Sequence, residues 1–499
     1  MTRAVACLLV LLGSAGICEA ADRPNIILLM GDDHGWDETG YNGHPYVKTP
    51  VLDEMASRGL KLNRFFSGHP SCSPTRVSVI TGRHPNRCGT FAPNFSIRPE
   101  EISIASILKS AGYATAHFGK WHLGPVKADS PTNPGSMGFD KWLSHDNFFE
   151  LNPVLSRQGA APEKMAGESS EILVREATGF MKSAREAGKP FFVVIWYGSP
   201  HEPYSGLAKD LALYESVRDK YPGKTVRLTS NKTGKPTTRP LGEVLQERLA
   251  EITAMDRSIG QLRSWLENAG ARDNTMLWYC GDNGTPAGGI VTSPFRGRKG
   301  TMYDGGIRVP GIIEWPRVVT RPATSDLNSV TSDILPTLCE IVGMPLPRRP
   351  LDGVSLLSLI RGQKLDSRPP IGFWSFNIGG VDRSKPYISA KQQQGTTPLV
   401  KMLGGRYTRN FMNFHYPEVR DRDFGGTRVW LDGAFKLVVK SSKRKQDQVE
   451  LFNVRKDPAE AENLAKQDPK RVQAMRTGLR AWQTSVLTSL TGADYRKIP

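Results

Sequence analysis

The chain has 499 residues, 38% of them hydrophobic and 23% charged, and 66 Lys and Arg against 49 Asp and Glu give a formal net charge of +17. That length exceeds what one hydrophobic core usually fills, so two domains, one large and one small, are expected. The ordinary composition, with 49 glycines, excludes a disordered or fibrous protein but names no function.

Residues 1–20 differ from the rest. Arg3 is followed by an apolar run from Ala4 to Ile17, and Cys18-Glu19-Ala20 supplies small residues around a cleavage point, the pattern of a signal peptide. The run is shorter than the roughly 20 apolar residues that a membrane span needs. Bulky Ile17 argues against a lipoprotein site at Cys18. The remainder is expected to be exported, periplasmic or secreted, with no stable membrane anchor. Cys72, Cys88, Cys280 and Cys339 lie beyond the signal, and an even count in an exported chain favours disulfides, with three possible pairings.

In chain order, Asn25 to Met30 is a continuous apolar run of strand length, stopped by Gly31-Asp32-Asp33. It predicts a strand buried on both faces. The runs Phe191 to Tyr197 and Thr275 to Cys280 repeat the pattern and end in Ser199-Pro200-His201 and Asp282-Asn283-Gly284. Between the last two runs, Leu245, Leu249, Ile252, Met255, Ile259, Leu262 and Leu266 form the stripe of an amphipathic helix, with Gly270 placed to end it. Alternating buried strands and amphipathic helices predict an α/β fold, a large mostly parallel sheet sandwiched by helices, in which ligands collect at the carboxyl ends of the strands. Beyond Leu356 the texture changes, through Arg361-Gly362-Gln363 and Pro369-Pro370. Short strands such as Arg428 to Leu431 and Phe435 to Val439 follow, then a helix from about Pro469 to Leu487. This predicts a catalytic domain over 21–364 and a smaller α+β domain over 365–499.

Asp32, Asp33, Asp282 and Asn283 are short oxygen donors at two strand ends, suited to a hard cation, Ca²⁺ or Mg²⁺. One such residue alone would more readily be a helix cap or an Asx turn. Packed carboxylates repel unless a cation neutralises them, which makes two adjacent pairs a stronger signal.

Ser71-Cys72-Ser73-Pro74-Thr75-Arg76 is followed by Thr81-Gly82-Arg83, and further along come Gly119-Lys120-Trp121-His122-Leu123-Gly124, Gly138-Phe139-Asp140, Ser144-His145-Asp146, Ser199-Pro200-His201-Glu202-Pro203, Gly281-Asp282-Asn283-Gly284 and Arg298-Lys299-Gly300. Here the chain resembles the sulfatase family, whose signature is Cys-x-Pro-x-Arg with a downstream Thr-Gly-Arg, and the resemblance covers nearly all of the chain beyond the signal. It implies an alkaline-phosphatase-like fold and a nucleophile made by oxidising Cys72 to formylglycine, which requires a formylglycine-generating enzyme during maturation. It further implies a metal held by Asp32, Asp33, Cys72, Asp282 and Asn283. Catalytic roles fall on Cys72, Arg76, Lys120, His122, His201 and Lys299, and substrate contacts on Lys120, Ser144, His201 and Lys299. In the implied reaction the hydrated aldehyde attacks sulfur, His201 with Lys299 protonates the leaving oxygen, and His122 takes the proton that allows sulfate to depart.

Each role has a duller competitor. A single lysine or arginine is normally a solvated charge, a lone histidine is normally a structural hydrogen-bonding residue, and a serine hydroxyl such as that of Ser144 often only bonds nearby backbone. The expected activity is sulfate-ester hydrolysis on a sulfated small molecule or, better matched to the basic charge, a sulfated glycan. An aryl or alkyl sulfatase, a phosphate or phosphonate monoester hydrolase on the same fold, and a non-catalytic binder of sulfated polysaccharide are the alternatives. No nucleic-acid recognition motif is present. Asn94-Phe95-Ser96 and Asn231-Lys232-Thr233 are glycosylation sequons.

Overall fold

The computed structural model describes residues 23–230, 233, 235–365, 367–398, 410–441 and 447–495. The signal segment, Asn231 and the basic residues Lys443, Arg444 and Lys445 lie outside the described residues. A ten-stranded mixed sheet dominates, in the order Ala323–Ser325, Leu60–Leu62, Gly311–Glu314, Thr275–Gly281, Asn25–Gly31, Phe191–Trp196, Ala114–Lys120, Lys141–His145, Val154–Arg157 and Glu163–Lys164. The five strands from Thr275–Gly281 to Lys141–His145 pair in parallel, and the pairs flanking them are antiparallel.

Period-two alternation divides each buried strand between two cores. Ile26, Leu28 and Met30 pack on one face with Phe192, Val194, Met276 and Trp278. Ile27 and Leu29 pack on the other with Val193, Ile195, Leu277 and Tyr279. Residues from the Cys72–Thr81, Ile104–Ser110 and Ile334–Val342 helices complete the first core, and residues from Ser169–Glu186 and Leu241–Asn268 complete the second. The fold is thus the large, mostly parallel, helix-covered sheet of the alkaline-phosphatase-like class. A separate antiparallel sheet, Ile371–Ser375, Thr427–Asp432, Phe435–Lys440 and Gln448–Asn453, packs against the Pro469–Leu490 helix through Leu437, Val439, Leu451, Met475 and Leu479.

Parallel register brings distant residues to one level. Gly31 pairs with Gly281, Met30 and Gly119 both pair with Trp196, and Lys120 pairs with His145. Gly119 has φ +99°, and a Cβ there would lie 2.0 Å from the Trp196 carbonyl oxygen. Gly119→Ala is therefore expected to destabilise the protein by about 2–5 kcal/mol through strained backbone and overpacking. Denaturant unfolding, with an unchanged slope, is the measurement.

Cys72, Cys88, Cys280 and Cys339 are all free and buried, which overturns the disulfide expectation. Cys72, Cys280 and Cys339 lie in separate core elements, and Cys88 points its thiol at the Pro85 carbonyl. Among the described residues no helix is long and apolar enough to cross a membrane.

Candidate active site

Cys72 opens the Cys72–Thr81 helix, and Arg76, four residues on, shares its face. Every residue of that helix is buried, so only a paired charge is tolerated at its inner end. The Cys72 Sγ lies 3.5 Å from Asp32 Oδ1, 3.9 Å from Asp33 Oδ1 and 3.7 Å from Asn283 Oδ1. Burial, with Asp282 adding to it, pushes the thiol pKa well up. Asp32, Asp33, Cys72 and His201 bring ligand atoms within 4.8 Å of one another.

Basic groups ring this cluster. Lys120 Nζ donates to Asp32 Oδ2 at 2.6 Å, and Lys299 Nζ donates to Asp33 Oδ2 at 2.6 Å. Arg76 donates to Asp282 Oδ2 at 2.9 Å and to the Lys120 carbonyl at 3.0 Å, and its guanidinium lies 3.3 Å from Asp32. Arg76 thus braces the carboxylates in this structure. Burial opposes the charge on Asp32, yet Lys120, His201 and Arg76 carry its pKa well below the ordinary value. For Asp282 burial prevails, joined by repulsion from Asp32, and its pKa is pushed up to about 7.

The oxygen-rich donor set fits a hard divalent cation. A carboxyl held near neutrality by two neighbouring carboxylates marks a place where a cation, or else a proton, is needed. His201 Nε2 lies 3.6 Å from Asp33 Oδ2, the same oxygen that the Lys299 ammonium occupies at 2.6 Å. A cation that took Asp282 as a ligand would compete with the proton that burial favours there, so apparent Ca²⁺ affinity is expected to weaken as pH falls through about 7. Calorimetry in two buffers of different ionisation enthalpy measures the proton released; pH-independent affinity would contradict the assignment.

The two histidines are held differently. The His201 Nδ1–H donates to the Glu202 carbonyl at 2.5 Å, leaving Nε2 to face Lys299 at 3.5 Å. Phe148 stacks on the His201 ring, 4.6 Å between centroids and 12° from parallel, and also lies 6.0 Å from the Lys120 ammonium. The His122 Nε2–H donates to the Asn94 carboxamide oxygen at 3.3 Å. His122 Nδ1 is buried with no hydrogen-bond partner among the described residues. Burial, then Lys120 and Arg76, hold the His122 pKa well below its usual value, so the ring is neutral and able to accept a proton.

Ser144 is the anticipated substrate-binding residue that the structure does not bring to this cluster. It is fully buried on the Lys141–His145 strand, and its hydroxyl pairs with His117 Nδ1 at 2.8 Å. Strand alternation sends the Ser144 and His145 side chains to opposite faces, and His145, level with Lys120, takes the other. Asn94, read from the sequence as a sequon, is instead engaged with His122. Asn94 and Phe148 were missed because neither lies in a motif that carries catalytic chemistry. The only sequence cue was position: Phe148 follows the Ser144-His145-Asp146 segment closely.

A buried cation-ready carboxylate cluster around a potential nucleophile, ringed by amines and backed by two histidines, defines a centre for hydrolysing an oxyanion ester. The sulfatase family model matches residues 24–344. The chain is 30% identical over 401 residues to the ulvan-active sulfatase of Formosa agariphila, covering 78% of this chain and 76% of that one. It is 29% identical over 417 residues to the N-acetylgalactosamine-6-sulfatase of Mus musculus, covering 74% and 72%. The crystal structure of Ps i-CgsB in complex with k-i-k-neocarrahexaose superposes with TM-score 0.72 at 21% identity over 93% of each chain. The chain belongs to the sulfatase family and is a sulfuric ester hydrolase.

Proposed function

We propose that this chain removes sulfate from a sulfated carbohydrate outside the cytoplasm, with a nucleophile made by oxidising Cys72 to formylglycine and a divalent cation, Ca²⁺ or Mg²⁺, at Asp32, Asp33, Asp282 and Asn283. The observation that carries this reading is the placement of Cys72 within 3.9 Å of three side-chain oxygens from two strand ends, inside a ring of three cationic side chains. The carbohydrates in the names of its relatives support the substrate class, and the +17 charge supports an anionic one. The apolar N-terminal run supports export.

Hydrated formylglycine supplies one hydroxyl to attack sulfur and a second that permits collapse to the aldehyde as sulfate leaves. Lys120 and Lys299 hold the sulfate oxygens, and their hold strengthens as water is excluded. His201 Nε2 and the Lys299 ammonium that faces it flank the leaving oxygen, and the proton that oxygen takes comes from Lys299, relayed through the neutral imidazole. His122, neutral and with Nδ1 open, accepts the proton released when sulfate departs.

Peptide mass spectrometry of protein matured beside a formylglycine-generating enzyme is expected to show an aldehyde at position 72. Ion chromatography is expected to show sulfate released from sulfated oligosaccharides. An unmodified cysteine in active protein, or a higher kcat/KM on a phosphate or phosphonate monoester, would overturn the reading.

A further inference from the structure

The C-terminal sheet and its helix enclose a second basic feature that shares no residue with the cluster around Cys72. A cleft of about 870 Å³ opens between the ends of the Ile371–Ser375, Thr427–Asp432 and Phe435–Lys440 strands and the Pro469–Leu490 helix. Four arginines, Arg422, Arg428, Arg476 and Arg480, line it against two aspartates, Asp421 and Asp447. Arg476 and Arg480 lie four residues apart on one helix face. Arg428 forms the buried floor, donating to Ser441 Oγ at 2.8 Å and to the Phe424 carbonyl at 2.7 Å, and it pairs with Asp447. The other three are exposed and have no carboxylate partner among the described residues. Burial lowers the Arg428 pKa, Asp447 opposes it, and Arg476 and Arg480 add smaller lowering contributions. The excess positive charge of the cleft comes from its four arginines set against two aspartates.

We infer that this cleft is a second binding site for a sulfated glycan, remote from the reaction centre, in which Arg422, Arg476 and Arg480 grip sulfate groups on a chain whose other part is being desulfated. This rests on the proposal that the substrate is a sulfated carbohydrate. The guanidinium fork matches the paired oxygens of a sulfate, and the volume is that of a site for an oligosaccharide-sized ligand. Ser375, Asn377, Thr427 and Ser441 add polar groups suited to sugar hydroxyls. The lining offers no bare ring for base stacking: Arg480 covers Phe424 at 3.2 Å, and Phe376 is buried against Phe91 at 4.3 Å. Phe91 in turn packs edge-on against Phe95, beside Asn94, which ties the cleft to the wall that holds His122.

The test replaces the three exposed arginines together, Arg422→Gln, Arg476→Gln and Arg480→Gln, in the full chain. Dextran sulfate is the probe, uncharged dextran the control. The triple variant is expected to bind dextran sulfate at least tenfold more weakly, with kcat/KM on a small aryl sulfate unchanged. In the wild-type protein, dextran sulfate is expected to slow amide exchange in residues 421–428 and 476–483. Unchanged affinity, or no protection there, overturns the site. Duplex DNA or phosphatidylserine vesicles bound more tightly than dextran sulfate, with loss in the same variant, overturns the glycan assignment. Arginine-dependent dextran sulfate binding by a protein that hydrolyses no sulfate ester would keep the anion site and remove the catalytic reading, so the two failures are separable.

Discussion

Replacing Cys72 by serine is expected to give a folded protein that attacks its substrate no more than once. Serine is close to cysteine in size, and the three oxygens 3.5–3.9 Å from Sγ accept from a hydroxyl as well as from a thiol. Its Oγ can attack sulfur, its own proton passing to the surrounding carboxylates and the departing alcohol taking one from Lys299 by way of His201. The product is a sulfate ester of serine, which has no second hydroxyl from which His122 can draw a proton to expel sulfate. Turnover should fall by about 10⁴-fold or more, as when a nucleophile is deleted. Peptide mass spectrometry after exposure to substrate should find sulfated serine at position 72, with the same run confirming that the serine was not oxidised. Sustained turnover by the unoxidised variant would sink the diol mechanism.

The second large effect is expected from Asp282→Ala. Asp282 accepts from Arg76 and from the Asp33 backbone N–H at 2.8 Å, so the change removes the proposed cation ligand and loosens Asp33 together. Activity should drop by at least about 10³-fold, the scale on which a lost transition-state charge partner is felt. A cation that binds only folded protein raises its melting temperature. That Ca²⁺-dependent rise should be present in the wild type and absent in the variant, alongside metal content near zero after dialysis. Unchanged metal content and turnover would remove Asp282 from the site.

Much of this was readable before any coordinates. Asn25 to Met30, Phe191 to Tyr197 and Thr275 to Cys280 announced themselves as buried strands because both faces need apolar side chains, and the structure bears them as Asn25–Gly31, Phe191–Trp196 and Thr275–Gly281. The Leu245 to Leu266 stripe lies within the Leu241–Asn268 helix. The Ala114–Lys120 strand escaped this reading because Thr115, His117 and Lys120 interrupt its apolar run, although all three are fully buried. His117 Nδ1 pairs with Ser144, and Lys120 with Asp32, partners that no local window contains.

The sequence by itself determined the chemical inventory: carboxylates and amides at strand ends, the Cys-x-Pro-x-Arg segment, two histidines and the lysines, together with the periodicities that build the sheet. Only the tertiary structure decided their use. Parallel register over separations of up to 250 residues set Asp33 against Asn283, turned Arg76 onto Asp32 and Asp282, and sent Ser144 into the core. Packing beyond that sheet laid Phe148 over His201, joined Asn94 to His122, and gathered arginines from a short 3-10 turn, a strand and a helix around one cleft. The physical reason is that a side chain's face follows from strand register and helix packing, which depend on contacts far apart in the chain, whereas its chemistry is local to the residue.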